Sequence, residues 1–255
     1  MLGAIAGDVI GSVFEVMPIK STDFKLFRAL STYTDDTVLT VAVADAILNG
    51  TDYGKSIKSY ARRHPMRGYG PRFLMWMASP STKPYNSWGN GSAMRVSPVG
   101  FAFDDEDKVL EEAKRSAECT HNHPEGIKGA QATALAILMG RTGKTKEQIK
   151  ARIEEQFGYD LSRTLDEIRP TYKTDLSCRG SVPESIIAFL ESDDFEGAIR
   201  NAVSLGGDTD TMAAIAGGIA QAFYGEIPRE IVEQTRKRLP KNFLKIVDEF
   251  SGRYG

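Results

Sequence analysis

Cysteine is scarce in this 255-residue chain. Cys119 and Cys178 are the only two, too few for a disulfide framework or a cysteine-rich zinc site, and a reducing, cytoplasmic location is expected. Net charge is scarce as well. Thirty-two basic residues against 34 acidic ones leave −2, which provides no electrostatic footprint for nucleic acid or for an anionic membrane surface. No uninterrupted apolar run reaches membrane-spanning length. The opening MLGAIAGDVIGSVFEVM lacks a basic n-region, and Asp8 and Glu15 interrupt its apolar stretch, so a targeting segment is not expected. Histidine occurs only as His64, His121 and His123, with no HExxH-type zinc motif. Convincing period-2 strand runs are missing too.

What remains is helical spacing. In DTVLTVAVADAILNG (Asp36 to Gly50), Val38, Val41, Ala42, Asp45 and Leu48 recur on neighbouring turns, and Asn49-Gly50 supplies a stop. EGIKGAQATALAILMG (Glu125 to Gly140) reads as a buried helix, and TKEQIKARIEEQFG as a surface helix with Ile149, Ile153 and Phe157 on one stripe. TMAAIAGGIAQAFYG is rich in small residues, which permits close backbone approach in a multi-helix core. With no long linker and no repeat, the expected fold is all-α, one compact domain over residues 1–255. The least regular parts are Arg62 to Pro98 and Leu165 to Pro183. Irregular segments on a rigid scaffold are where binding sites form.

Two acidic clusters interrupt the apolar pattern. SLGGDTDTMAAIAGG places Asp208, Asp210 and Thr211 between a glycine pair and a core-forming run. YTDDTVLTVAVADAIL repeats the design with Thr34, Asp35, Asp36 and Thr37. Asp208 and Asp210 would point about 200° apart on a continuous helix, so they converge only if the segment is a turn entering a helix. Asp and Thr are favoured N-caps, and capping accounts for either cluster alone. A cap needs one oxygen, however, whereas each cluster offers several. Facing each other, they would supply many hard oxygen ligands, a set suited to magnesium, manganese or calcium, and enough charge for two divalent ions about 3.5–4 Å apart. Asp8 and Glu15, seven positions apart, share nearly one face of an N-terminal helix. Glu15 reads as a metal ligand, a general base or a surface residue at a helix end.

SWGNGSAMRVSPVG contains Gly89, Asn90, Gly91 and Ser92, whose backbone N–H groups could form a phosphate-binding nest; an ordinary Asn-Gly turn is the alternative. No Walker lysine follows. In ECTHNHPEG, His121 and His123 suit a substrate contact or a cap on the Glu125 helix better than a metal site. Arg95 is read as a substrate-supporting residue or a core ion-pair partner.

Taken in order, GAIAGDVIGSVFE, TDDT, GNGSAMRVSPVG, THNHPEGIKGAQATA and SLGGDTDTMAAIAGGIAQAFYG resemble the ADP-ribosylglycohydrolase family, the group that includes the dinitrogenase reductase-activating glycohydrolase, from Met1 to about Gly225. The resemblance implies an all-α fold with a dinuclear Mg2+ or Mn2+ centre in a cleft. It implies Thr34, Asp35, Asp36, Asp208, Asp210 and Thr211 as metal ligands, and Glu15 as a gating or catalytic group. Asp36 or Glu15 would handle the proton. Gly89, Asn90, Gly91 and Ser92 would hold the diphosphate of ADP-ribose, His121 would lie near the distal ribose, and Ser177 to Gly180 would line the adenosine pocket. Arg62 to Tyr85 and Leu165 to Arg179 match no single subfamily and leave the leaving group undetermined. The implied reaction is hydrolysis of the glycosidic bond between ADP-ribose and a modified protein or small molecule. A two-metal nucleotide phosphohydrolase and a non-catalytic ADP-ribose-binding module are the alternatives. Nothing demands a dimer, and a monomer is expected.

Overall fold

The computed structural model describes residues 1–255. Fourteen α-helices follow one another: α1 (Leu2–Val16), α2 (Asp35–Asn49), α3 (Tyr53–Arg63), α4 (Pro71–Ala78), α5 (Ser97–Ala102), α6 (Glu106–Glu118), α7 (Pro124–Arg141), α8 (Lys146–Phe157), α9 (Leu165–Ile168), α10 (Cys178–Leu190), α11 (Phe195–Ser204), α12 (Thr209–Tyr224), α13 (Arg229–Arg236) and α14 (Lys241–Tyr254). There is no sheet; the one β-bridge pairs Gly89 with Ser177. No helix is long and apolar enough to cross a membrane. Sixty-seven buried apolar residues form one contiguous core, so the helices make a single folding unit.

The centre of that unit is α12, which packs against α1, α7, α10 and α11. Its contact with α1 is the tightest. A side chain on Gly3, Gly7 or Gly11 would run into the carbonyls of Gly217, Ala213 and Thr209 respectively. Glycines four apart lie on one helix face, so the two backbones meet along that stripe. Asp8 and Glu15 are thereby carried to the start of α12, where the glycine turn enters with Gly206 at φ 62°, a conformation glycine adopts without strain.

Helix limits follow the stop and start chemistry. Gly50 ends α2 in the left-handed conformation, Gly158 does the same for α8, and Thr145 with Gln148 forms a capping box at the start of α8. The two segments expected to be irregular hold more helix than their composition suggests. Arg62 to Pro98 contains α4, fixed by burial of Phe73 and Trp76. Pro183 lies inside α10 instead of before it; the helix forfeits one amide bond there and is secured by Ser177, whose side chain caps Gly180 N–H.

Candidate active site

Asp8 organises the first acidic cluster. It is fully buried on α1 and accepts from the Thr34 amide at 3.0 Å, the Thr34 hydroxyl at 2.7 Å, the Thr37 amide at 3.1 Å and the Thr37 hydroxyl. These four donors pin the TDDT turn to α1. Thr34 also caps α2, its Oγ1 accepting from Asp36 N–H at 3.3 Å. The capping duty therefore falls to threonine, and neither Asp35 nor Asp36 spends its carboxylate on it. At α12, Asp208 occupies the N-cap position without making a side-chain cap bond. Its Oδ2 accepts from Asn90 Nδ2 at 2.7 Å instead.

The freed carboxylates converge. Oxygens of Asp8, Asp36 and Asp210 lie within 4.8 Å of one another, as do oxygens of Glu15, Asp208 and Asp210. Asp210 belongs to both groups. Thr211 Oγ1 donates to Asp36 Oδ1 at 3.0 Å, joining the two clusters directly. Asp35 lines the cleft wall but falls outside both groups, with its amide donating to the Arg67 carbonyl at 2.7 Å. Thr34 is occupied by Asp8 and by its cap. Glu15 stands at the exposed end of α1, on the rim of the same cleft.

No lysine, arginine or histidine forms an ion pair with any of these acids. Burial, followed by repulsion from Asp8, pushes Asp35 up to about 8. Asp36 rises well above the carboxylate range through burial and then Asp8, Asp35 and Asp208. Asp210 does so through burial and then Asp36, Asp208 and Glu15. A buried all-oxygen cluster without a counter-charge is costly on its own. Its donor chemistry fits a hard divalent cation.

The acids floor a cleft of about 540 Å3 whose walls include Gly89, Asn90, Gly91 and His121. The glycine loop and the segment before α10 are clasped together: Asn90 N–H donates to the Leu176 carbonyl at 2.9 Å, and Cys178 N–H to the Trp88 carbonyl at 3.0 Å. Gly89 N–H is taken by Ser87 Oγ at 3.2 Å. Of the nest expected from sequence, the Gly89 amide is spent on Ser87 and the Asn90 amide on Leu176, which leaves Gly91 on the cleft wall. Ser92 itself is sealed, its hydroxyl donating to the Gly126 carbonyl at 2.6 Å, and it lies outside the cleft lining. Of Ser177 to Gly180 only Ser177 lines the cleft, together with Asp175 and Leu176.

The histidines separate. His123 caps α7 through Nδ1 and Glu125 N–H at 3.1 Å, whereas His121 faces the cleft. Arg95 is fully buried and is not in an ion pair. It donates to the Ser116 carbonyl and to Thr120 Oγ1, each at 2.8 Å. Arg72, Tyr85, Trp88 and Met94 also line the walls, as does Arg95. Trp88 and Met94 come with the glycine-loop motif, whereas Arg72 and Tyr85 carry no motif signal and reach the cleft only through the folding of α4 and the segment after it. A larger cavity of about 680 Å3 opens among Lys55, Lys58, Arg62, Arg63 and Arg115. It shares none of the clustered acids.

Fold and site define an all-α protein with an acid-floored ligand cleft. The chain belongs to the ADP-ribosylglycohydrolase family, whose profile matches residues 1–254, and it is a glycosidic-bond hydrolase acting on ADP-ribosyl groups. It is 28% identical to "ADP-ribosylhydrolase ARH3" of Gallus gallus over 89% of this chain and 84% of that one. It is 25% identical to "ADP-ribosylarginine hydrolase Tri1" of Pseudomonas putida over 92% of this chain and 72% of that one. A solved structure titled "ADP-ribosylglycohydrolase-related protein complex" superposes with a TM-score of 0.75 at 25% identity, covering all of this chain and 96% of that one.

Proposed function

We propose that this chain hydrolyses the bond between ADP-ribose and a modified protein side chain or small molecule, using two Mg2+ or Mn2+ ions held by Asp36, Asp208, Asp210 and Thr211 with Asp35 and Glu15 beside them. The observation that carries this reading is the shared position of Asp210 in two carboxylate groups, since two adjoining oxygen-rich subsites would suit a pair of hard divalent ions. Bound there, such ions would lower the pKa of a water and orient substrate hydroxyls.

The protein's own residues do the rest. Hydrolysis adds hydroxide to the anomeric carbon and a proton to the departing atom. Asp36 on the cleft floor and Glu15 on its rim are the carboxylates placed to take the first proton and to return one. The buried negative charge stabilises oxocarbenium character as the leaving group departs. Asn90 holds Asp208 in place, while Gly91 leaves its wall open for the ADP-ribosyl group.

Calorimetric titration with Mn2+ tests the metal reading. Two ions per chain are expected, with both affinities reduced in Asp210→Asn. A single ion, unaffected by that substitution, contradicts the bridging role.

A further inference from the structure

His121 shows the cleft only one edge of its ring. Nδ1 lies 2.7 Å from Thr120 Oγ1. Nε2 has no partner within the protein and faces the glycine loop, where a Cβ on Gly91 would stand 3.1 Å from it and one on Gly89 3.8 Å. Behind Thr120 lies the buried guanidinium of Arg95, whose Nη2 donates to the same hydroxyl oxygen at 2.8 Å.

We propose that Arg95 and Thr120 are positioning residues that lock His121 as the Nε2–H tautomer, so that the ring presents the cleft with a hydrogen-bond donor aimed at an acceptor oxygen of the ADP-ribosyl group. That the acceptor belongs to ADP-ribose rests on the proposed function; the tautomer does not.

The reasoning is a count of protons. A guanidinium only donates, so Thr120 Oγ1 accepts from Arg95. The hydroxyl has one proton of its own to place. The Ala117 carbonyl lies at 3.5 Å, at the outer limit of a hydrogen bond, whereas Nδ1 is at 2.7 Å. The proton goes to Nδ1, which must then be the unprotonated nitrogen, and a neutral imidazole carries its hydrogen on the other one. The ring is kept neutral by burial and then by the charges of Arg95 and Arg72, which together hold His121 well below the usual histidine range. The same arrangement gives Arg95 a reason to be buried without a carboxylate partner, with Nε and Nη1 making no hydrogen bond. Its charge sets the polarity of the Thr120 hydroxyl.

Imidazole 15N spectra of the 255-residue chain test the tautomer without substrate. The three histidines are told apart by the signals lost in His64→Gln and His123→Gln. The wild-type His121 ring is expected to show hydrogen on Nε2 and a bare Nδ1. Thr120→Ser keeps the hydroxyl and should keep that pattern. Thr120→Val, close in shape, should yield a mixture of tautomers, bind ADP-ribose about tenfold more weakly and raise KM with little change in kcat. Coincident thermal melts of the two variants separate this effect from unfolding. Hydrogen on Nδ1 in the wild type, or an Nε2–H ring with unchanged affinity in Thr120→Val, overturns the proposal. An Nε2–H ring in a protein that releases no ADP-ribose would leave the lock standing and count against the proposed function alone.

Discussion

The hydroxyl of Thr211 donates to Oδ1 of Asp36 across 3.0 Å, joining two motifs 175 residues apart in the chain. Asp36 lies in the first turn of α2 and Thr211 in the first turn of α12, so the bond registers one helix start against the other at the floor of the cleft. The contact orients a candidate metal ligand. Thr211→Val should lower turnover by about 10- to 100-fold, whereas Thr211→Ser should retain most of it. Steady-state assays of the two variants, with metal titrated in each, check the difference.

The carboxylates themselves are expected to be indispensable. Asp36→Ala and Asp210→Ala should each reduce turnover by about a thousandfold or more and weaken metal binding. Full activity in either variant would remove that residue from the centre.

Asn90 has a separate job. Its amide reaches Asp208 Oδ2 at 2.7 Å and Ser181 Oγ at 3.2 Å. Asn90→Ala should cost about tenfold in metal affinity while leaving the helix content of the circular dichroism spectrum unchanged. Equal metal affinity in the variant and the wild type would show that Asp208 needs no anchor.

The α1–α12 seam has a stability consequence. A methyl on Gly7 meets the Ala213 carbonyl and the backbone beyond it, and backbone there cannot move aside independently. Gly7→Ala should destabilise the protein by about 3 kcal/mol and reduce activity through displacement of Asp8 and Glu15. Urea unfolding curves measure the first effect directly.

The pH dependence of stability should carry a contribution from His121. Burial, Arg95 and Arg72 lower its folded pKa, so below about pH 6.5 the unfolded chain takes up a proton that the folded chain refuses. Stability from this group is present above that pH and is lost as pH falls. Between about pH 7 and pH 5, the wild type should lose more stability than His121→Gln, and parallel urea titrations would expose the gap.

Much of this molecule can be read before it folds, and the exceptions have physical causes. The helices around Asn49-Gly50 and the GGDTDT turn announce their ends through glycine chemistry, and the two acidic clusters stand out because carboxylates are costly in apolar runs. The role of Asp8 is hidden. Its four donors come from Thr34 and Thr37, and only the glycine seam brings α1 close enough for them to meet. Arg72 and Tyr85 are hidden for another reason: α4 is held by tertiary burial of Phe73 and Trp76, which leaves no periodic signal in so short a helix. The glycine loop was visible as a motif. Its amides are partly spent on Ser87 and Leu176, however, a division that only the clasp between the loop and the segment before α10 determines.

The central claim is metal-dependent cleavage of an ADP-ribosyl glycosidic bond. Its most direct test is chromatography of soluble products from ADP-ribosyl-serine and ADP-ribosyl-arginine peptides, incubated with magnesium, with manganese and with EDTA. Intact ADP-ribose is expected with either metal and absent with EDTA, and the responding peptide identifies the linkage. AMP or phosphate as the product would point to a phosphohydrolase, and ADP-ribose binding without release from any conjugate would point to a binding module; either result contradicts the account.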